Sequence, residues 1–352
     1  GTDRRLFGAQ RSGRDHRRFQ LRLDGLDLRL RHVHGRADTD RLGHHLVVVE
    51  FRLIDQRRVE GPMGGTVGDF GPLGPLEALA RRGMLGFGHT PETVMKAMSR
   101  PQVMANIMTP SLSQLRFDRA LRKEIGHTRG RCPFDGFMCL NSGSEAMSLA
   151  SRIADTLSAG ATGLGGWHSG AEVKRVVIEG GFHGRTERPA LLSNSSRSVY
   201  QSQLASFRAD QSVIAVPPGD VDALKQVFAD AEQNNWFIEL LAMEPVMGEG
   251  NPGYAITKEF YDAARDLTLE HGSLLLIDSV QAGLRTHGVL SVVDHPQLEG
   301  CAPPDIESYS KALNGGQYPL SVIALGPRAV DAYSVGTYGN TMAGNPRAMA
   351  TA

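Results

Sequence analysis

Ser273-Leu-Leu-Leu-Ile-Asp278 decides the reading of the fold: four consecutive apolar residues, Leu274 to Ile277, run into an acid. The run is strand-sized, and apolar side chains on both alternating faces mark a strand covered on both sides, as in a parallel sheet. Just upstream, Phe260, Tyr261, Ala264 and Leu267 share one face of a helix, and Gly272 suits its C′ position. Just downstream, Pro304-Asp-Ile-Glu-Ser-Tyr-Ser-Lys311 reads as the next strand, ending in a lysine. Strand and helix signals alternate from about residue 76 onward, which predicts an α/β fold with a mostly parallel sheet. An acid at the end of a buried parallel strand stands where open α/β sheets bind ligands. Burying it is costly unless it meets a cation or hydrogen-bond donors, so Asp278 is read as functional.

Further upstream, three blocks carry chemistry. In Asn141-Ser-Gly-Ser-Glu-Ala146, apolar residues follow at 146, 149, 150, 153, 154 and 157, one face of a helix, and Ser142 with Glu145 fits a capping box. Free N–H groups and the helix dipole at such a start favour a phosphate, although most capped helices bind nothing. Arg175-Val-Val-Ile-Glu179 reads as a strand leading into Gly180-Gly-Phe-His-Gly-Arg-Thr186, where Phe182 can stack on a flat heterocycle and Arg185 can fork a carboxylate. Leu240-Leu-Ala-Met-Glu-Pro-Val-Met-Gly-Glu-Gly250 reads as a buried strand running into a turn, with Glu244 and Glu249 as either site or surface carboxylates. The glycine-rich run at 158–172 does not match GxGxxG and reads as a flexible surface loop. The chain holds six lysines against 32 arginines, so a lysine kept at 311 points to its amine. An amine can form a Schiff base and a guanidinium cannot.

Composition bounds the rest. The chain has 352 residues, with 38 basic and 38 acidic side chains. Zero net charge argues against a nucleic-acid or polybasic membrane surface, and no run approaches the length of a membrane span. Cys132, Cys139 and Cys301 fit neither a disulfide framework nor a zinc pattern, and read as reduced thiols in a cytoplasmic-type compartment, with a mitochondrial address left open. Residues 1–60 hold 14 arginines, five histidines and no lysine, with poor hydrophobic periodicity apart from Leu46-Val-Val-Val49. They fit neither a signal nor a transit peptide, and no function is placed there. Residues 61–95 form a Gly/Pro-rich segment, 96–340 the main α/β domain, and 341–352 the start of a C-terminal region.

Taken together and in order, SGSEA, GGFHGRT, EPVMGEG, LLIDSVQAGLR, SYSKALNGGQYP and TYGNTMAGNP resemble the class III, fold-type-I pyridoxal-phosphate aminotransferases, and the lysine block is similar to the ornithine-type subgroup. The resemblance runs from about Gly86 to the end. It implies pyridoxal 5′-phosphate as cofactor, Lys311 as the Schiff-base lysine, and Asp278 as partner of the pyridinium nitrogen. It implies Gly143 and Ser144 at the phosphate, Phe182 and His183 at the ring, and Gln281 near its phenolic oxygen. Thr341 would reach the phosphate of a partner subunit, making a homodimer with shared sites. Arg185 would hold a substrate carboxylate, and Glu249 would gate dual substrate use. The implied reaction moves an amino group from an ω-amino or diamino acid such as ornithine to a 2-oxo acid such as 2-oxoglutarate, with no metal.

Some residues depart from the family pattern. Ser279 stands where the family usually has Glu. Asn340-Thr-Met-Ala-Gly-Asn345 departs from the usual Thr-Phe-Gly-Gly-Asn, and Arg81-Arg82-Gly83 stands where ornithine-type members carry a substrate tyrosine. Set against the family's usual layout, the small C-terminal domain is expected to be largely missing from this chain, and its arginine with it. Two alternatives accompany the reading: an aminomutase on the same scaffold, separated by its independence of a keto acid, and a non-catalytic scaffold, separated by loss of the cofactor.

Overall fold

Seven strands of the chain form one sheet, and the central ones are buried on both faces. The computed structural model describes strand backbone at 19–23, 26–34 and 45–53, and residues 87, 90–102, 111–284 and 288–352. The chain divides into two units, Gly1–Gly65 and Thr66–Ala352. In the first, β1 (Phe19–Leu23), β2 (Leu26–His34) and β3 (His45–Leu53) pair in sequence as an antiparallel three-stranded sheet. The Gly/Pro-rich stretch 61–75, the Arg81-Arg82-Gly83 position and Gly86, Gly88 and His89 lie outside the described residues.

The second unit holds β4 (Gly136–Leu140), β5 (Glu172–Ile178), β6 (Val213–Val216), β7 (Trp236–Met243), β8 (Leu274–Asp278), β9 (Ile306–Tyr309) and β10 (Ser321–Leu325). Their order is β4-β10-β9-β8-β7-β5-β6. The pairs β6–β5, β5–β7, β7–β8 and β8–β9 are parallel, and only β10 runs against both its neighbours. The sheet is thus mostly parallel.

Alternation along β8 shows why its sequence is uniformly apolar. Leu274 and Leu276 join the hydrophobic cluster under the Gly143–Thr162 helix. Leu275 and Ile277 join the opposite cluster, with Leu224 and Phe228 of the Val221–Asn234 helix and Phe260 and Tyr261 of the Lys258–His271 helix. Helices therefore cover both faces, which is the condition for a parallel sheet. The Lys258–His271 helix starts at a Thr257 cap, and it ends at Gly272 in the left-handed conformation, as the sequence predicts for that glycine.

One buried carboxylate in this core takes two guanidinium groups. Arg265 and Arg328 share the buried carboxylate of Asp305, with Arg265 gripping it at 2.7 and 3.2 Å, and the Leu275 N–H donates to the same carboxylate at 2.9 Å. This ties the Lys258–His271 helix to the start of β8.

One expectation fails. Residues 158–162 are not loop: the Gly143–Thr162 helix continues through them, and the turn begins only at Gly163. Ser158 is buried and donates to Glu239 on β7 at 2.6 Å, and Ala161 is buried. Packing of the helix end on the sheet overrides the glycine-rich composition. No helix among the described residues is long and apolar enough to cross a membrane.

Candidate active site

All the strands of the seven-stranded sheet but β10 end at the same edge, and the residues following β4, β5, β8 and β9 meet there around a cavity of about 430 Å³. The carboxyl edge of an open parallel sheet is the expected place for a ligand.

The Gly143–Thr162 helix points its N-terminus into the cavity. Ser142 caps it, accepting from the Glu145 N–H at 3.2 Å. The other arm of the expected capping box is displaced: Glu145 Oε2 accepts from the Asn141 N–H at 2.7 Å, one residue earlier than the cap. Its Oε1 accepts from Tyr338 and from Asn340 Nδ2. Gly143 is needed for close approach, since a Cβ there would lie 2.9 Å from a methyl of Val280.

Asp278, at the end of β8, is buried and fully engaged. Oδ2 lies 2.9 Å from His183 Nδ1, while Oδ1 accepts from Ser308 Oγ at 3.0 Å and from the Val280 N–H at 3.1 Å. These three contacts hold the carboxylate in place at the strand end. Burial works to lower the His183 pKa, but its hydrogen bond to Asp278 and the charges of Asp278 and Glu244 outweigh that and hold it above the ordinary histidine value. His183 Nε2 is buried and has no hydrogen-bond partner among the described residues.

Glu244 follows β7. It is buried, and is not the surface carboxylate its sequence position leaves open. Its two oxygens accept the N–H groups of Phe182 and Gly248, each at 3.0 Å, so it braces the two glycine turns against each other. Burial pushes its pKa up to about 7, against the opposing pull of His183 and the two N–H donors.

Lys311 opens a single helical turn after β9, with a φ of 45°. A left-handed conformation is uncommon for a non-glycine residue and persists only where the surroundings impose it. Here the Ser310 hydroxyl, bonded to the Leu320 carbonyl at 2.6 Å, holds the preceding residue to the chain entering β10.

The cavity brings together Gly143, Ser144, Phe182, His183, Asp278, Gln281 and Lys311. Arg185, Glu249 and Thr341 are not among its lining residues. Arg185 lies over the Phe182 ring, 5.3 Å from its centroid, with a guanidinium nitrogen 3.9 Å from Glu249. Thr341 is exposed on a turn. Sequence reading misses Ser308 and Glu307. Both are polar residues in a wholly buried strand, which is the signal that marks them. Ser279, where the family usually has Glu, donates to Glu307 at 2.6 Å, so an acid stands one strand over.

This fold and this set of strand-end residues define a ligand-binding α/β enzyme scaffold with a lysine and a supported carboxylate in one cavity. The chain belongs to the class-III aminotransferase family, which matches residues 78–352. It is similar to ornithine aminotransferase 2 of Staphylococcus aureus strain Mu50, 34% identical over 219 residues, 61% of this chain and 50% of that protein. Ornithine aminotransferase 1 of S. aureus strain MRSA252 is 28% identical over 287 residues, 82% of this chain and 67% of that protein. The chain thus spans half the length of the first of these relatives and two thirds of the second. Among solved structures, the ornithine aminotransferase of Toxoplasma gondii, described with partial occupancy of PLP at its active site, has a TM-score of 0.64 at 24% identity, over 78% of this chain and 60% of that one. The acetylornithine aminotransferase of Elizabethkingia anophelis has a TM-score of 0.57 at 23% identity, over 77% of this chain and 59% of that one. These likenesses establish the fold.

Proposed function

We propose that this chain is the cofactor-binding part of a pyridoxal-phosphate aminotransferase moving an amino group from an ω-amino or diamino acid such as ornithine to a 2-oxo acid such as 2-oxoglutarate. One observation carries the reading: Lys311 and Asp278, from the ends of adjacent strands, line the same cavity, and Asp278 is held by three donors.

The residues present fit the cofactor. A helix N-terminus suits the phosphate. Gly143 and Gly248 leave room where a Cβ would strike Val280 and Gln281. The buried Nε2 atoms of His183 and Gln281 have no hydrogen-bond partner among the described residues. When bound, pyridoxal phosphate supplies an electron sink for the substrate's carbon–hydrogen bond. Asp278 would pair with the ring nitrogen, with His183 and Ser308 orienting Asp278. Gly143 and Ser144 would hold the phosphate, Phe182 would stack on the ring, and Gln281 would stand near its oxygen. Lys311 would supply the amine for the covalent link and the base for the proton. Arg185 binds a substrate carboxylate while Glu249 competes for its charge. Thr341 serves the phosphate site of a second copy, so the working unit is a homodimer. Its place of work on this reading is the cytoplasm or the mitochondrion, and its partners are the small amino and 2-oxo acids.

The test is glutamate formation from ornithine and 2-oxoglutarate by cofactor-loaded protein. Turnover dependent on both substrates supports the reading. Isomerisation of the amino acid without a keto acid points to an aminomutase, and a loaded protein inert toward every ω-amine tested contradicts it.

A further inference from the structure

Glu307 is wholly buried and lies outside the cavity lining. Oε1 accepts from Ser279 Oγ at 2.6 Å and from the Val292 N–H at 2.8 Å, and Oε2 accepts from Ser291 Oγ at 2.6 Å. Ser279 and Ser291–Val292 are the two ends of the loop that leaves β8 just after Asp278. Within the loop, Gly283 N–H donates to the Ser279 carbonyl and Leu284 N–H to that of Val289, each at 2.8 Å, and Leu284 has a φ of 63°. Two residues near its start, Val280 and Gln281, line the cavity. They have no slack on that side: a Cβ on Gly143 would lie 2.9 Å from Val280, and one on Gly248 2.4 Å from Gln281. One carboxylate on β9 therefore fastens both ends of a loop that forms a wall of the site.

We propose that Glu307 is a positioning residue of this site: by accepting hydrogen bonds from both ends of the Ser279–Val292 loop, it fixes Val280 and Gln281 against Gly143 and Gly248 and so sets the fit for pyridoxal phosphate. The proposal rests on the pyridoxal-phosphate reading above. A buried polar group matters only while its partners are in place, and a small misplacement at a cofactor wall is costly.

The test compares wild type with Glu307→Gln, Glu307→Val and Ser291→Ala. Each full chain is titrated with pyridoxal phosphate by visible absorbance, and its thermal midpoint is taken without cofactor. Glu307→Gln keeps an acceptor and should bind within about threefold of wild type, whereas Glu307→Val should bind about tenfold or more weakly. Ser291→Ala should fall between. In both weakened variants the pH at which the bound cofactor's visible band changes should move, because Gln281 no longer stands square to the ring's oxygen. A merely structural role lowers the thermal midpoint and leaves affinity and the band's pH midpoint unchanged, and that result overturns the proposal. If Glu307→Val does not fold, Ser291→Ala decides on the same two readouts. A folded wild type that takes up no pyridoxal phosphate removes the underlying reading and this proposal together. A wild type that binds, with variants that bind equally well, removes this proposal alone.

Discussion

Raising the pH from 5 to 8 should weaken the cofactor-free protein, and Glu307→Gln should flatten that dependence. An unfolded glutamate titrates near 4.5, while burial pushes Glu307 up to about 7 despite the Ser279, Ser291 and Val292 donors that favour its charge. The folded state thus holds the proton more tightly than the unfolded state. The stability this contributes is fully present below pH 4.5 and is lost as pH rises through about 7. At about 1.4 kcal/mol for each pH unit separating the two values, the full effect is on the order of 3 kcal/mol, of which about 2 kcal/mol falls between pH 5 and 8. The neighbouring phenols, Tyr261 and Tyr309, are both driven well above their ordinary value by burial, so they stay neutral throughout. Glu244, also pushed to about 7, and His183, held above its ordinary value, weaken the fold in the same direction and remain in the variant. The decisive quantity is therefore the difference between two profiles. Urea unfolding of both proteins at pH 5 and pH 8 gives it: wild type should lose about 2 kcal/mol more than Glu307→Gln across that interval. Parallel profiles would refute the reasoning, since they mean that Glu307 titrates alike in the folded and unfolded chains.

Three further outcomes follow from contacts described above. Asp305→Ala leaves Arg265 buried without its carboxylate and the Leu275 N–H without its acceptor, and should cost about 3–5 kcal/mol in urea unfolding; a loss under about 1 kcal/mol contradicts the buried pairing. Gly143→Ala drives a methyl into Val280, should cost about 1–3 kcal/mol, and should weaken pyridoxal phosphate binding measured by absorbance titration. Arg185→Lys should raise KM for the amino donor about tenfold or more while leaving cofactor affinity unchanged; an unchanged KM removes Arg185 from the substrate site.

Much of the α/β architecture was legible because burial on two faces leaves a simple trace. Leu274–Ile277 reads as a strand since each neighbouring pair of side chains enters a different cluster. Gly272 ends its helix where the sequence places the end, because cap chemistry is local. Long-range contacts are not local and leave no such trace. Glu145 looks like a capping-box acid, yet its carboxylate also receives Tyr338 and Asn340, almost two hundred residues away. Ser308 becomes a partner of Asp278 only through the β8–β9 register that sets the two side by side. Nothing in Ser321–Leu325 by itself states that this strand reverses direction. The glycines near 160 conceal a helix end stabilised by Ser158 meeting Glu239 on a distant strand. The candidate cavity residues came from their order along the chain, whereas the network that supports them came from the fold.

The central claim is that Lys311 carries a pyridoxal phosphate cofactor. Incubating the purified chain with pyridoxal phosphate, reducing with borohydride and locating the added phosphopyridoxyl mass among its peptides tests it most directly. The account predicts one saturable adduct on the peptide containing Lys311, absent in Lys311→Ala, with the other five lysines unlabelled at matching concentrations. Labelling spread across surface lysines, or an equal yield from a folded Lys311→Ala protein, would contradict it.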